Sequence, residues 1–317
     1  MTSEKTMGKF IERQMTKIVK EICAQRQIRC LCFSYDWVFQ LEAPNGNRMF
    51  IYGYRFPQNN AAIEQICDDK SALSDVLEAN NIPHVEHLFF MSPSQIHYIG
   101  EEGSWTRLLS LLKKHGALVC KVNNGSGGHS VFKVTNVTEL EESVFNIFKI
   151  SRSMSVSPYT EIKNEYRTII LNGEVQVIYQ KVRPHVVGNG IDTVSTLIHR
   201  AGFQDIETDK TVDSNAVLKR GEIAVLSWKH NLGQGAMPEL VTQPQTIEKL
   251  TGFAISTAKL LDIGFASIDI IDDGEQLRVL EINSGIMMEN FAQSSKENYE
   301  LAKNIYDRAI CDGLNIG

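Results

Sequence analysis

The composition and charge of this chain exclude several classes of protein before any motif is considered. The sequence has 317 residues, of which 43% are hydrophobic and 22% are charged. This balance is typical of a globular protein, not of a collagen-like, low-complexity or disordered one. The formal net charge of −6, from 32 basic and 38 acidic residues, offers no basic surface for nucleic acid.

The length predicts several packed subdomains, because one simple core does not serve a chain of this size. We expect an N-terminal α/β domain over residues 1–84, a second unit over 85–154 and a C-terminal unit over 155–317. No apolar run is long enough to cross a membrane, and residues 1–20 lack the apolar segment of a signal peptide. The six cysteines are scattered, without a CxxC pair or a zinc pattern, which indicates reduced thiols in a cytoplasmic protein.

Apolar periodicity and turn residues predict alternating helices and strands in the first part of the chain. Residues 4–27 have apolar positions at helical spacing, and a strand is predicted over 28–39. The turn at 44–47 leads into a strand over 48–54. A helix over 71–80 follows two aspartates and ends before Pro83. This alternation predicts a small α/β domain.

After this domain, the sequence predicts a helix, two strands and a second helix, and then mostly strands. Asn172-Gly173 is a strong hairpin signal between two of these strands. The predicted helices are 105–115, 139–149, 193–201, 245–261 and 296–312. The predicted strands are 117–122, 130–134, 153–159, 166–171, 174–182, one ending near Trp228, and a hairpin over 266–282.

The sharpest local feature is the glycine-rich segment 122–130, VNNGSGGHS. Glycine allows positive φ and close approach of the backbone, so successive N–H groups can cradle phosphate oxygens. The segment has no Gly-Lys-Ser/Thr and is not a Walker A loop. Its glycine spacing and the following strand also differ from a dinucleotide-binding fingerprint. From these residues alone, a phosphate loop and a flexible hairpin loop without function both stay open.

A lysine directly before this loop favours the phosphate interpretation. Lys121 lies inside an apolar strand, and burying an unpaired ammonium group is costly. A bound phosphate is one suitable partner, and a structural carboxylate is the other. Lys70, at the start of its predicted helix, is a second candidate cation, although a lysine in such a place is ordinarily surface charge.

Acidic residues are embedded in the apolar strands of the last predicted hairpin. Glu281 and Asn283 are two residues apart and therefore share one face of a strand. Asp269, on the partner strand, joins that face only if the connecting loop has an odd number of residues or a bulge restores parity. Carboxylate and amide oxygens suit Mg²⁺ held together with substrate phosphates. Satisfied polar positions at a sheet edge are the alternative.

Polar patterns also lie between these features. Glu165 and Arg167 share one strand face, as do Lys181 and Arg183, and residues 228–235 read WKHNLGQG. Each pattern alone is more typical of a surface ion pair than of a site. Their order along the chain is the stronger signal: lysine, glycine loop, acid-basic strand, basic-Asn segment and acidic hairpin.

That order resembles the ATP-grasp superfamily, over about residues 68–291. Three motifs of the family have counterparts here. The Asp-Lys helix of the family is similar to CDDKSALSDVLEANNIPHVEH, and its lysine strand with the phosphate loop is similar to ALVCKVNNGSGGHSVFKV. The metal-binding strands of the family are similar to FASIDIIDDGEQLRVLEINSG. Ribosomal-protein glutamate ligases, cyanophycin synthetases and bifunctional glutathione synthetases have a strand pair similar to NEYRTIILNGEVQVIYQKVRP. The cyanophycin synthetase-like branch is also similar over VVGNGIDTVSTLI and VLKRGEIAVLSWKHNLGQGA.

The resemblance implies an α+β protein with the ATP-grasp fold. Two α+β subdomains would clamp ATP, with residues 85–154 as the lid and residues 155–317 carrying the metal site. The short N-terminal α/β domain would precede them. The chain would then be an ATP-dependent carboxylate–amine ligase that forms an amide or peptide bond through an acyl phosphate.

The family pattern also implies a role for each matching residue. Two lysines would hold the ATP phosphates, glycines would close over them, a hinge would contact adenine through its backbone, and a glutamate would bond the ribose. The lysines are Lys70 and Lys121, and the loop over the phosphates comprises Gly125, Ser126, Gly127 and Gly128. The hinge comprises Ser157, Pro158, Tyr159 and Thr160, and the glutamate is Glu165. Arg167, Lys229 and Asn231 would face the phosphates and the acyl phosphate. Asp269, Glu281 and Asn283 would carry one or two Mg²⁺, with Mn²⁺ as the alternative metal.

The expected partners are a small-molecule carboxylate and an amine, but no nucleic acid and no membrane. Arg183, His185 and Asn290 favour amino acids or a peptide as substrates. Family members are often dimers or tetramers, which leaves a homo-oligomer open. The alternative functions are an ATP-binding regulatory or partner-binding protein without ligase activity, and an ATP-grasp phosphotransferase.

Two departures from the family pattern affect the substrate end. The branch usually has arginine where Lys229 stands, and the bidentate phosphate contact of arginine is absent here. Residues 284–289 read SGIMME in place of the common Ser-Pro-Gly stretch. No residue identifies itself as the base for the amine, and Glu289, His129, His230, a substrate carboxylate and the phosphate itself stay open.

Overall fold

The computed structural model describes residues 12–125, 127–203 and 206–317. Its contacts divide the chain into two compact units. One unit holds the chain up to Gln58 together with the segment from Gly285 to Gly317, and the other holds Asn59 to Ser284. The three-part division at residues 84 and 154 stays a prediction.

The described residues form helices and strands throughout. The helices are α1 (Gln14–Gln25), α2 (Ala61–Asp68), α3 (Lys70–Ala79), α4 (Trp105–His115), α5 (Val137–Ile150), α6 (Val194–Arg200), α7 (Pro244–Leu260), α8 (Glu289–Ser294) and α9 (Lys296–Leu314). The strands are β1 (Arg29–Phe33), β2 (Val38–Glu42), β3 (Arg48–Tyr52), β4 (Leu88–Met91), β5 (Leu118–Val122), β6 (Val131–Val134), β7 (Ser153–Pro158), β8 (Asn164–Leu171), β9 (Glu174–Val182), β10 (His185–Val187), β11 (Ile223–Val225), β12 (Met237–Leu240), β13 (Phe265–Asp272) and β14 (Leu277–Asn283).

The prediction of one strand over 28–39 is wrong. Ser34, Tyr35 and Asp36 all adopt positive φ, between 52° and 63°, and the chain reverses there into the antiparallel pair β1 and β2. With β3 these strands form an antiparallel meander, not the strand–helix alternation of an α/β domain. Of the helix predicted over 4–27, residues 4–11 lie outside the described part of the chain, and α1 covers Gln14–Gln25 of the rest. Helix α2, which Asn60 caps by accepting from the N–H of Ile63, has no sequence prediction.

The first unit packs its helices and its sheet around a common core. Phe39, Leu41 and Ile51 point inward from the meander and are fully buried, as expected for the apolar face of an alternating pattern. Helix α1 contacts α8 and α9, and α9 contacts β3. Glu289 accepts from the backbone N–H groups of Gln14 and Met15, at 2.6 and 3.1 Å, and so completes the start of α1.

The second unit contains two larger antiparallel sheets. One has the order β4-β7-β5-β6 and the other β12-β9-β8-β13-β14. Helix α5 contacts β5, β6 and β7, and α7 contacts β8 and β9. The hairpin of β10 and β11 packs with α6 around a small separate core of Val186, Val194 and Leu226. The glycine-rich segment connects β5 to β6, and the acidic hairpin is β13 and β14.

Two glycines of this unit provide a matched test of the packing. A Cβ on Gly188 would overlap the carbonyl oxygen of Lys219, whereas a Cβ on Gly252 in α7 would meet nothing. We expect Gly188→Ala to destabilise the protein by about 1–3 kcal/mol through overpacking. We expect Gly252→Ala to stabilise it by up to about 1 kcal/mol through helix propensity. Thermal unfolding measures both changes, and equal shifts in one direction would contradict this packing.

Candidate functional site

Four charged side chains form a buried network on one face of the five-stranded sheet. Arg167 donates from Nε and Nη2 to the two oxygens of Asp269, both at 2.7 Å. The ammonium group of Lys181 donates to Asp269 Oδ2 at 2.7 Å and to Glu165 Oε1 at 2.6 Å. Asp269 is 0% exposed, and Glu165 and Lys181 are also buried. Two cations and two carboxylates balance each other, as buried charges require.

Strand register brings these residues together. Asp269 on β13 pairs directly with Arg167 on β8, and Arg167 pairs with Tyr179 on β9. Glu165 and Lys181 lie two residues from the Arg167–Tyr179 pair on their own strands, and side chains two apart share a face. The neighbouring strands β8, β9 and β13 therefore hold the four charged side chains together on one face of the sheet.

The network shifts the pKa values of its carboxyl groups in opposite directions. Burial raises the pKa of Asp269, but the nearby charges of Arg167 and Lys181 outweigh it and hold that pKa below its usual range. Burial dominates at Glu165 and raises its pKa, although Lys181 opposes the rise. Asp269 is therefore the firmly ionised member of the network.

A β-bulge places the acidic residues of the hairpin on one face. The connection between β13 and β14 has four residues, which alone would put Asp269 and Glu281 on opposite faces. The register shifts between Asp269 and Ile270, so Leu280 is skipped and Asp269 lies opposite Glu281. Of the two arrangements that the sequence allowed, the bulge is the one present. Asn283 donates from Nδ2 to Glu281 Oε1 at 3.2 Å.

The hairpin residues differ in their availability to a metal ion. Both oxygens of Asp269 already accept from cations, whereas Glu281 accepts from the side-chain amide of Asn283 and forms no ion pair with a described residue. Among the described residues no group of three or more His, Cys, Asp and Glu side chains is arranged to hold a metal. Glu281 and Asn283 fit a hard cation that takes further oxygens from phosphates. Asp269 already uses three of its four acceptor positions on Arg167 and Lys181, so a metal ion would compete with these cations for it.

The two predicted phosphate lysines lie beneath the glycine-rich segment. The ammonium group of Lys70 donates to the carbonyl oxygens of Asn123 and Gly125, at 3.2 and 2.5 Å. Lys121 is buried, and burial lowers its pKa to about 8; Lys70 also lowers it, while Glu281 and Glu165 oppose the shift. Within the described residues, no hydrogen bond satisfies this ammonium group.

The glycine-rich segment contacts the basic-Asn segment. Gly127 and Gly128 have φ of 71° and 72°, a conformation that glycine adopts without strain. A Cβ on Gly128 would overlap the side-chain amide of Asn231, and Gln234 donates from Nε2 to the Gly128 carbonyl at 3.2 Å. Ser126, the remaining predicted member, lies outside the described residues. The loop therefore packs over this segment with no room for a side chain.

The hinge and the basic-Asn segment meet through aromatic contacts. Tyr159 packs edge-on against Trp228 at 6.0 Å, and the ammonium group of Lys133 lies 3.5 Å from the ring of Tyr159. The Tyr159 N–H donates to the Ala117 carbonyl and is therefore already engaged. Ser157 and Pro158 end β7, and Thr160 follows.

Among the predicted catalytic residues, Lys229 has a partner outside the network. Its ammonium group lies 3.2 Å from a carboxylate oxygen of Glu207, and its neighbour Asn231 uses its side-chain oxygen to accept from the Gly233 N–H. Glu289, one of the open choices for the base, has both oxygens engaged at the start of α1. That contact gives Glu289 a structural role.

Lys181 and His230 are absent from the residues that the family pattern implied. Lys181 joins both buried carboxylates, and its alternation with Arg183 was the only sequence signal. His230 is 7% exposed and its Nδ1 lies 2.8 Å from the Lys181 carbonyl oxygen. Burial lowers the pKa of His230 to about 4. An isolated histidine gives no sequence signal of burial.

The chain is similar to known proteins both in its sequence and in its fold. No family model matches the chain. A cyanophycin synthetase from Geminocystis herdmanii is 24% identical over 202 residues, which cover 55% of this chain and 22% of that protein. A tetrahydromethanopterin:alpha-L-glutamate ligase from Methanocaldococcus jannaschii is 27% identical over 138 residues, covering 44% of this chain and 40% of that protein. The chain spans about a fifth of the length of the cyanophycin synthetases it matches.

Solved structures share the fold over most of the chain. D-alanine–D-alanine ligase from Bacillus anthracis has a TM-score of 0.54 at 16% identity, covering 81% of this chain and 70% of that one. A bifunctional glutathione synthetase from Pasteurella multocida has a TM-score of 0.58 at 15% identity, covering 93% and 43%. The predicted ATP-grasp fold is confirmed. No helix in the described part of the chain has the length and apolar character needed to cross a bilayer.

The buried network predicts a contrast between the two opposed acidic residues of the hairpin. Asp269→Asn keeps the shape of the side chain but leaves Arg167 and Lys181 without their shared counter-charge. We expect it to destabilise the protein by about 3–5 kcal/mol. Glu281→Gln, directly opposite, should change the free energy of unfolding much less, because Glu281 lies outside these ion pairs. Urea denaturation measures both, and similar losses would contradict the network's structural role.

The neutral state of His230 predicts a pH dependence of stability. Its folded-state pKa of about 4 lies below the ordinary 6.5, so the unfolded chain binds an extra proton between these values. Stability therefore falls as the pH falls from 6.5 to 4, by up to about 3 kcal/mol from this group. Urea denaturation across that range should give a shallower slope for His230→Asn. An unchanged slope would contradict a buried neutral His230.

Proposed function

We propose that the chain is an ATP-dependent carboxylate–amine ligase, which forms an amide or peptide bond through an acyl phosphate. One observation carries this proposal. Within the ATP-grasp fold, the bulged hairpin sets Asp269 opposite Glu281 on the face where Arg167 and Lys181 are buried. Such a concentration of charge is costly to fold and is typical of sites that handle phosphate.

ATP would bind between the glycine loop and this face. Lys70 and Lys121 supply positive charge for the phosphates, and the ammonium group of Lys121 has no hydrogen-bond partner among the described residues. Gly125, Gly127 and Gly128 would offer their backbone, with Ser126 proposed from the sequence alone. The hinge over residues 157–160 would contact adenine, and Glu165 would bond the ribose hydroxyls.

Glu281 and Asn283 would hold Mg²⁺ together with the nucleotide phosphates, with Asp269 joining once one of its cations moves to the phosphates. The metal, when bound, supplies positive charge at the phosphate oxygens. The donor set is all oxygen, which suits Mg²⁺ or Mn²⁺. The identity and number of the metal ions belong to this proposal.

The chemistry would consist mostly of positioning and charge neutralisation. A substrate carboxylate attacks the γ-phosphorus of ATP and releases ADP. An amine then attacks the acyl phosphate carbon and releases phosphate, and the amine proton leaves with a base or with the phosphate. Arg167, Lys229 and Asn231 would stabilise the charge that develops on the oxygens. The loop that packs over Asn231 would exclude water, which hydrolyses acyl phosphates.

The relatives' names point to amino acids as substrates. They include a glutamate ligase, a cyanophycin synthetase and a D-alanine–D-alanine ligase. We propose a small carboxylate and an amino acid or peptide amine for this chain, in the cytoplasm, without nucleic acid or membrane partners and with a homo-oligomer open. The chain covers only part of the curated relatives' length, so the proposal names the substrate class and no individual acid or amine.

One observation favours a second candidate, an ATP-binding protein without ligase activity. Both oxygens of Asp269 are engaged by cations, and a site that keeps this arrangement with nucleotide bound would lack one metal ligand. A phosphotransferase has no comparable support.

Release of ADP and phosphate from Mg-ATP tests the proposal. Pools of amino acids and small carboxylates are screened, and we expect one pool to raise release well above background. Glu281→Ala should reduce that release at least about 100-fold, the scale of a lost charge-stabilising contact. Glu275→Ala, in the exposed turn of the same hairpin, is the matched control and should retain it.

Each outcome of this screen separates the candidates. An amide product in the active pool supports the ligase, and a stable phosphate ester identifies a phosphotransferase. ATP binding without release by any pool supports the second candidate. A protein that does not bind ATP would refute both.

A further inference from the structure

The bulge in β14 leaves one residue without a partner in the ladder with β13. Asp269 pairs with Glu281 and the next pair of the ladder includes Val279, so Leu280 between them is skipped. The extra residue of a bulge is unpaired, and the ladder is disrupted around it. The carbonyl oxygen of Leu280 lies 3.2 Å from Nε2 of the buried His87. His87 therefore contacts the residue on which the placement of Glu281 depends.

The chemistry of the two groups fixes the direction of this hydrogen bond. A backbone carbonyl can only accept, so Nε2 of His87 carries the proton and donates. Burial lowers the pKa of His87 well below its usual range, and the charge of Lys121 lowers it further, against the opposing effect of the bond to Leu280. The ring is therefore neutral, and its Nδ1 is an acceptor without a hydrogen-bond partner among the described residues. The bond to Leu280 is the contact through which this ring can act on β14.

Hydrogen bonds on two sides hold His87 in this position. Val279 donates its N–H to the Pro83 carbonyl and accepts from the Val85 N–H, both at 2.9 Å. The segment before His87 therefore runs along the edge of β14 that faces away from β13. The N–H of His87 donates to Oγ of the buried Ser74 in α3, at 3.0 Å. The residue thus connects α3 to the bulge.

We propose that His87 is a positioning residue for the candidate metal site of Glu281 and Asn283, because it fixes the bulge at Leu280 and so keeps Glu281 on the face of Asp269. The inference deepens the proposed function, on which it rests. A ladder without the bulge would place Leu280 opposite Asp269 and turn Glu281 toward the other surface of the sheet. In this role His87 acts through the backbone of β14, not as a ligand of the metal or the phosphates.

The loss of this hydrogen bond should disturb the bulge more than the rest of the strand. Without the ring, the Leu280 carbonyl loses its side-chain donor, and an unpaired carbonyl next to a buried site is costly. The bonds between Val279 and the edge segment use only backbone atoms and should persist. The change is therefore expected at Leu280 and Glu281, where it alters the position of a carboxylate proposed to hold the metal.

Calorimetric titration of the whole chain with ADP, first with Mn²⁺ and then in EDTA, tests the inference. The factor by which Mn²⁺ tightens ADP binding reports the metal site, and binding in EDTA reports the rest of the nucleotide site. His87→Leu removes the donor, and we expect it to reduce the Mn²⁺ factor at least about tenfold, the scale of a lost supporting contact, with little change in EDTA. His87→Gln, whose amide N–H can take the place of Nε2, should restore most of the factor.

His84→Leu is the matched control, since it removes the other histidine ring of the same segment. The ring of His84 contacts Ser74 Oγ and the Ile82 carbonyl, at 3.0 and 2.9 Å, and leaves the bond between His87 and Leu280 in place. We expect His84→Leu to keep the Mn²⁺ factor. Equal losses in His84→Leu and His87→Leu would overturn the inference, as would an unchanged factor in His87→Leu or a failure of His87→Gln to restore it.

Hydrogen exchange of β14 distinguishes failure of this inference from failure of the proposed function. His87→Leu should speed the exchange of backbone amides over residues 279–283 more than His84→Leu does, because the bulge opens more readily. Unchanged exchange in His87→Leu would overturn the inference, even in an active ligase. A chain that binds ADP in neither condition would refute the proposed function. Faster exchange in His87→Leu would then keep His87 as the residue that fixes the bulge and remove its role toward a metal.

Discussion

The buried ion pairs of Asp269 constrain the rest of the second unit. A carboxylate that is fully withdrawn from water is tolerated only while its cations stay in contact with it. Arg167 and Lys181 come from two other strands, so this single requirement fixes β8, β9 and β13 in register. Lys181 also bonds Glu165 and so adds this second carboxylate to the cluster. A charge arrangement of this kind restricts the sheet to one pairing, because a slip by one residue would strand a charge in the core.

The glycine loop depends on that sheet for its own position. Asn231 fills the space that a side chain on Gly128 would need, and Gln234 bonds the loop carbonyl. Beneath it, Lys70 holds two loop carbonyls while Lys121 stays without a hydrogen bond among the described residues. Two lysines so close together repel each other, and an anion between them would relieve that repulsion.

Local signals predicted much of the fold, and long-range pairing accounts for what they missed. Helix α4 and strand β9 match their predicted bounds, because periodicity and a hairpin signal are local. The turn at Ser34, Tyr35 and Asp36 was missed, since residues other than glycine seldom take positive φ in succession. The roles of Lys181 and His230 depend on partners many residues away. The order of the motifs still predicted the ATP-grasp fold. It could not show that Arg167 and Lys181 would form ion pairs with both oxygens of Asp269.

The bulge at Leu280 has a consequence for how such a chain can change its length over evolution. Glu281 and Asn283 face Asp269 only because one residue of β14 is skipped. The loss of the skipped residue would leave a regular ladder in which Glu281 still lies opposite Asp269, whereas one further residue between Leu277 and Glu281 would turn both side chains toward the opposite surface of the sheet. The exposed turn over residues 273–276 can change its length without this effect, provided that Asp272 still pairs with Leu277. Insertions and deletions should therefore accumulate in surface loops, and lineages should seldom gain a residue between Leu277 and Glu281.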